Sequence, residues 1–278
     1  QIASASNPRT STSIPRGLGC ADHSPRKKLI LHMDLNNTIL VSDTVTGQGT
    51  VAALDYFLTT VTWGKMSKHV TPPGKAWEGR EFAIVFRTFG TDLPRVLKAM
   101  SRVVNEGAHP LFPDLPELKV RQLRVDMTPG KIRCTKRGVV LSRAEERVST
   151  RDGERGLYQY LSSVQGLGGF QDHFDWWATN TFSIRGGKPL WIDPFDQNVQ
   201  HVFIDDNIRQ NDEDTIVCPK VFLEPGGHNT RAAGTAELYD ISLVQTDLLR
   251  AISDRSYFTQ RVHICLENYE RNLWNGTA

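Results

Sequence analysis

The stretch LHMDLNNTI, residues 31–39, decides how the rest of the chain is read. It closes an apolar run, Leu29-Ile30-Leu31-His32-Met33, that follows the basic step Arg26-Lys27-Lys28 and stops at a single carboxylate, Asp34. A run this short and apolar reads as a buried strand ending in a polar loop. The segment EFAIVFRTFG repeats the pattern, with Phe82-Ala83-Ile84-Val85-Phe86 running into Arg87 and Thr88. Between the two, Val51, Leu54, Leu58 and Val61 mark an amphipathic helix within Gly49 to Gly64, closed by the loop Thr71-Pro72-Pro73-Gly74. After the second strand, TDLPRVLKAMSRVVNEG offers Thr91 or Asp92 as a cap, Pro94 in the first turn and Gly107 as a terminator. Its residues Val96, Leu97, Met100, Val103 and Val104 share a face. This strand–helix–strand–helix order predicts an α/β layer fold with a mostly parallel sheet.

From Leu118 to Ser142 the residues alternate around Thr128-Pro129-Gly130, which predicts a β-hairpin with its turn there. A charged stretch from Arg143 to Arg155 leads to a short helix carrying Leu157, Leu161 and Val164. Residues 113–174 therefore read as an insertion sitting over the sheet. The strand pattern resumes with Val202-Phe203-Ile204 before Asp205-Asp206, and again with Ile216-Val217 and Val221-Phe222-Leu223 as two more strands. Ile241 to Leu273 reads as helical, with Leu248, Leu249 and Ile252 on part of one face.

Composition narrows the function. At 278 residues and 39% hydrophobic the chain can bury a sizeable core, read as one domain over 26–278. Lys and Arg number 33 against 31 Asp and Glu, a net charge of +2, so no general field favours nucleic acid as a partner. No apolar stretch approaches the roughly 20 residues that cross a bilayer. Cys20, Cys134, Cys218 and Cys265 form no CxxC pair and no Cys/His cluster. They read as free thiols in a reducing, intracellular compartment, cytoplasmic or an organellar matrix. Residues 1–25 are rich in Ser, Thr, Arg and Pro with no acid before Asp22. They read as a disordered tail, able to dock a protein partner, or as the remnant of a transit sequence.

In an open parallel sheet, reactive groups gather at the carboxyl ends of strands. Here those ends carry Asp34, Thr88 and Asp205-Asp206. A lone aspartate after a strand is ordinarily a turn or cap residue, but three complementary polar ends point to phosphoryl chemistry. Asp34 is the candidate nucleophile, Asp205 and Asp206 suit a Mg²⁺, which prefers oxygen ligands, and Thr88 suits phosphoryl oxygens. The segment RGGKPLWID supplies Lys188 to balance charge.

These residues, in this order, resemble the haloacid dehalogenase superfamily, most of whose members are Mg²⁺-dependent phosphohydrolases. The first motif, Asp-x-Asp-x-Thr after an apolar strand, is matched at Asp34 and Thr38; the second at Thr88; the third at Lys188-Pro189; the fourth at HVFIDDN, with Asp205 and Asp206. The match covers roughly residues 28–224. The resemblance implies a Rossmann-like three-layer sandwich with residues 42–80 and 113–174 in the two cap positions. It also implies an aspartyl-phosphate intermediate on a phosphorylated small molecule or phosphoprotein, with the metal held by Asp34, Asp205, Asp206 and the backbone carbonyl of residue 36.

Residue 36 is the departure, because Asn36 stands where the phosphatases carry a second Asp that protonates the leaving group and activates water. Asn keeps the carbonyl but exchanges no proton, so general acid–base catalysis, about 10²- to 10⁴-fold in rate, is lost. Two readings follow: a slow or atypical phosphohydrolase, or a catalytically impaired module that binds a phosphorylated ligand or serves as a subunit of an assembly. The dehalogenases proper place an aromatic residue here and need no metal, which the acidic pair argues against. Asn207 adjoins the metal ligands and is a further candidate beside them, ahead of Asp212 and Asp214, which read as a solvated loop. Trp176-Trp177 reads as core, His32 as a satisfied core histidine, and the basic run from Lys131 to Arg137 as a solvated hairpin.

Overall fold

The strand expected at residues 29–33 forms at Lys28–Met33 (β1), inside the larger of two sheets in this computed structural model, which describes residues 27–39, 81–106, 124–211, 213–254 and 256–275. The second strand follows at Phe82–Thr88 (β2) and leads into a helix at Leu93–Glu106 (α1). Next come β3 (Gly130–Thr135), β4 (Gly138–Arg143), β5 (Glu146–Ser149), α2 (Glu154–Ser163), β6 (Gly166–Gln171) and α3 (Phe174–Thr179). The chain continues through β7 (Lys188–Ile192), β8 (Val199–Asp205), β9 (Val217–Phe222), β10 (Thr230–Ala232) and α4 (Thr235–Leu238). It closes with β11 (Leu243–Gln245), α5 (Leu248–Ser253) and α6 (Tyr257–Asn275).

The larger sheet has eight strands in the order β11-β8-β1-β2-β6-β3-β4-β5. Every pairing from β11 to β3 is parallel, and only β4, between β3 and β5, runs antiparallel to its neighbours. The fold is therefore α/β with a large, mostly parallel sheet. A second sheet, β10-β9-β7, has β7 parallel and β10 antiparallel to β9.

Alternation along β1 sends side chains to opposite faces. Leu29, Leu31 and Met33 join a cluster with Val96, Leu97 and Met100 of α1 and Val262, Cys265 and Leu266 of α6. Ile30 faces the other way, with Ala83, Val85, Leu157 and Leu161 of α2, Trp191 of β7 and Phe222 of β9. Fully burying an aliphatic side chain of this size contributes about 1.5–3 kcal/mol, so both faces of β1 hold it in place. α1 forms as its spacing predicts: the Asp92 carbonyl accepts from the N–H groups of Arg95 and Val96, and the apolar stripe is buried.

The face that carries Ile30 also carries a buried polar chain. The Arg87 guanidinium makes two hydrogen bonds to Asp172, at 2.8 and 2.6 Å, and a third to the Pro189 carbonyl at 3.0 Å. It also lies 3.4 Å from His32 Nδ1. Arg can only donate, so His32 Nδ1 accepts and its Nε2–H points to His201 Nδ1 at 2.9 Å; His201 Nε2–H then reaches Ser162 Oγ at 2.9 Å. Burial holds both imidazoles below their ordinary range, His201 down to about 3, so both stay neutral.

Four expectations are corrected. The segment 113–174 does not sit over the sheet where it is described: β3, β4, β5 and β6 lie in the sheet, and β6 pairs directly with β2. The hairpin turn lies at Lys136-Arg137, not at Thr128-Pro129-Gly130, because Thr135 Oγ1 accepts from the Arg137 N–H and donates to the Gly138 carbonyl, closing the turn itself. Gly130 is instead a close-packing position, where a β-carbon would lie 2.1 Å from the Phe170 ring. Ile216-Val217 and Val221-Phe222 belong to one run of chain, in which Val217–Phe222 is the single strand β9, and the span from Ile241 includes a strand, β11, before its helices. The tail 1–25, the helix expected at 49–64 and the cap position 42–80 fall outside the described residues. Of the cysteines, Cys134, Cys218 and Cys265 are free thiols. Among the described residues no helix is long and apolar enough to cross a membrane.

Candidate functional site

Because β1, β2 and β8 run parallel and adjacent, their carboxyl ends meet at one edge of the sheet. Asp34 follows the last residue of β1, Thr88 ends β2, and Asp205 ends β8 with Asp206 next in chain. Ligating oxygens of Asp34, Asp205 and Asp206 all lie within 4.8 Å of one another. Lys188, the first residue of β7, enters from the smaller sheet and places its Nζ 2.6 Å from Asp34 Oδ1 and 2.8 Å from Asp205 Oδ2. The same ammonium donates to the Arg87 carbonyl at 3.2 Å, which ties it to the end of β2.

Neighbours fix the acids. Asp206 donates its backbone N–H to Thr38 Oγ1 at 3.1 Å, joining the loop after β1 to the loop after β8. Asn207 donates its backbone N–H to Asp205 Oδ1 at 2.9 Å and its side-chain amide to Asp206 Oδ1 at 3.1 Å. Buried Thr88 accepts the Gly90 N–H at 3.0 Å, which leaves its own O–H free to donate elsewhere. Asn36 stands in the loop past Asp34, exposed, with its amide nitrogen beside Gly90, so it borders the acidic cluster and its side chain lies on the Thr88 side.

Burial sets the electrostatics. It pushes the Asp34 carboxyl up to about 7, against the pull of the Lys188 ammonium, with Asp205 and Asp206 adding to the rise. Burial and then Asp205 push Asp206 up to about 6. Burial acts to lower Lys188, but Asp205, Asp34 and Asp172 together outweigh it and keep the ammonium charged well above its ordinary range. Three carboxylates against one ammonium leave two negative charges when all are ionised, the complement of one divalent cation. The donors are all carboxylate oxygens, the set that Mg²⁺ prefers. The residues present therefore fit a divalent ion of that kind.

The four residues Asp34, Lys188, Asp205 and Asp206 are thus brought together, with Thr88 and Asn36 alongside. Sequence reading missed Arg87 and Asp172, the buried pair beneath Lys188. Its signal was a charged residue at an inward-facing strand position, one step before Thr88. Trp176 and Trp177, read as core, each pack against a core cluster while staying partly exposed, and Trp177 also stacks on Phe89 beside the site. Asp212 lies outside the described residues.

Fold and site together define an α/β protein with a buried carboxylate–lysine cluster at the carboxyl edge of a parallel sheet. Compared with known families, characterised proteins and solved structures, the chain matches none.

Proposed function

We propose that the chain is a Mg²⁺-dependent phosphohydrolase of the haloacid dehalogenase type, with a Rossmann-like core, acting on a phosphate ester through Asp34. The observation that carries this reading is the convergence of Asp34, Asp205 and Asp206 within 4.8 Å on a buried lysine, from strand ends about 170 residues apart in the chain. Lys188 holds Asp34 Oδ1, and the other carboxylate oxygen attacks phosphorus. An O–P bond to Asp34 forms as the ester P–O bond breaks, and the leaving oxygen takes a proton. Water then displaces the phosphoryl group, restoring the carboxylate and releasing phosphate. The ion, when bound, screens the repulsion between Asp34 and the anionic substrate. Asp205 and Asp206 hold it, Asn207 and Thr38 orient them, and Thr88 offers its hydroxyl to a phosphoryl oxygen.

Asn36 gives no proton to the leaving group, so turnover is slow or draws the proton from substrate or solvent. That same residue favours a second reading, a module that binds a phosphorylated ligand without turning it over. A screen of phosphate esters with Mg²⁺, with and without chelator, separates the two. Turnover that is lost on chelation and in Asp34→Asn supports the enzyme. Turnover no higher than that of Asp34→Asn, alongside Mg²⁺-dependent phosphate binding, leaves the binding module.

A further inference from the structure

The acidic cluster does not end in open solvent on every side. Lys188 Nζ, 2.6 Å from Asp34, also lies 5.1 Å from the centre of the Phe89 ring. Phe89 stacks on Trp177 at 5.2 Å with the rings 16° from parallel, and Trp177 meets Phe182 edge-on at 5.0 Å. Phe174 closes the group, 5.7 Å from Phe89 and 6.3 Å from Phe182. Topology puts this group at the reactive edge. Phe89 follows the end of β2, and Phe174 begins α3 just past β6, whose Gln171 pairs with Thr88.

Two of the four rings are open, since Phe174 and Phe182 are 47% and 46% exposed. Thr181 and Phe182, in the turn that closes α3 through N–H bonds to the Ala178 and Trp177 carbonyls, both adopt φ of 56°, in the left-handed region that disfavours β-branched and bulky residues. Such conformations cost on the order of 1 kcal/mol or more each and concentrate at ligand-binding segments. Clustered exposed aromatics beside a polar site can hold the apolar part of a small ligand.

We infer that these rings form the subsite for the alcohol portion of the substrate, and that this portion carries a planar aromatic group. The inference rests on the phosphohydrolase reading, because it takes the phosphate to lie at Asp34. An aromatic ring can meet the open Phe174 and Phe182 rings edge or face on, whereas a saturated ring of equal size fills the same volume without that complementarity.

Titration calorimetry with Mg²⁺ present tests it without requiring turnover, using methylphosphonate, benzylphosphonate and cyclohexylmethylphosphonate. Benzylphosphonate binds on the order of fivefold tighter than the cyclohexyl compound. In Phe174→Leu/Phe182→Leu that preference disappears while methylphosphonate affinity is unchanged. Methylphosphonate binding with equal affinity for the two ring compounds overturns the aromatic subsite and leaves the phosphate site standing. Failure of methylphosphonate itself to bind overturns both.

Discussion

Replacing Asp34 by Asn should make the metal-free protein more stable, and increasingly so as pH rises. The carboxyl sits at about 7 in the fold against an ordinary 3.8, chiefly because burial disfavours its charge. The folded protein thus holds this proton more tightly than the unfolded chain, so stability falls as pH climbs between 3.8 and about 7. At about 1.4 kcal/mol per tenfold in proton affinity, the ionised Asp34 costs on the order of 4 kcal/mol once pH exceeds both values. Asn has a similar shape and no charge to desolvate, and Lys188 keeps its 2.8 Å contact to Asp205. Urea denaturation in chelator from about pH 4 to about pH 8.5 should show the variant's advantage growing from under about 1 kcal/mol to several. Adding Mg²⁺ should narrow it by stabilising the wild type, by about 2.7 kcal/mol at a hundredfold excess over the dissociation constant. An advantage that is flat with pH, or that shrinks as pH rises, would refute the reasoning.

Three further outcomes can be checked. Asn36→Asp should raise the rate of phosphate-ester hydrolysis by about 10²-fold or more, and an unchanged rate would mean that a missing proton donor is not the limit. Asp172→Ala should cost about 3–5 kcal/mol in urea denaturation, since it strands the fully buried Arg87, and Arg87→Met/Asp172→Leu should recover most of that loss; a single-variant cost under about 1 kcal/mol would contradict the buried-pair account. Gly187→Ala puts a β-carbon 2.5 Å from the Ile216 carbonyl oxygen. β7 must then shift off β9 beside Lys188, lowering stability by about 1–3 kcal/mol and weakening Mg²⁺ binding, so an unchanged melting temperature would sink the packing argument.

The acidic site was legible because its signal is local: an apolar run that stops at Asp34 or Asp205 shows strand, end and carboxylate within a few residues. α1 was legible for the same reason, its cap and stripe lying within a single segment. What escaped depends on partners far away in the chain. β6, with sequence GLGGFQ, has little strand propensity of its own, yet it pairs with β2 along six positions. Nothing near Lys188 or Val217 shows that β7 and β9 leave the main sheet, because they pair with each other across 29 residues. The turn Lys136-Arg137 carries ordinary charged residues, and the Thr135 hydroxyl that closes it has many weaker look-alikes along the sequence.

The two neutral histidines inside the sheet bear on how the chain finds its alignment. β1 and β8 pair in parallel with both faces buried, so their few polar members help to specify the register. A slip of one residue would turn His32 from Arg87 and His201 into the aliphatic layer of Leu31 and Met33, leaving polar groups without partners, each worth about 1–3 kcal/mol. Such a slip would also carry Asp34 out of step with Asp205. The pairing of His32 with His201 therefore works as a proofreading contact: the alignment that satisfies the imidazoles is the one that brings the carboxylates level at the sheet's edge.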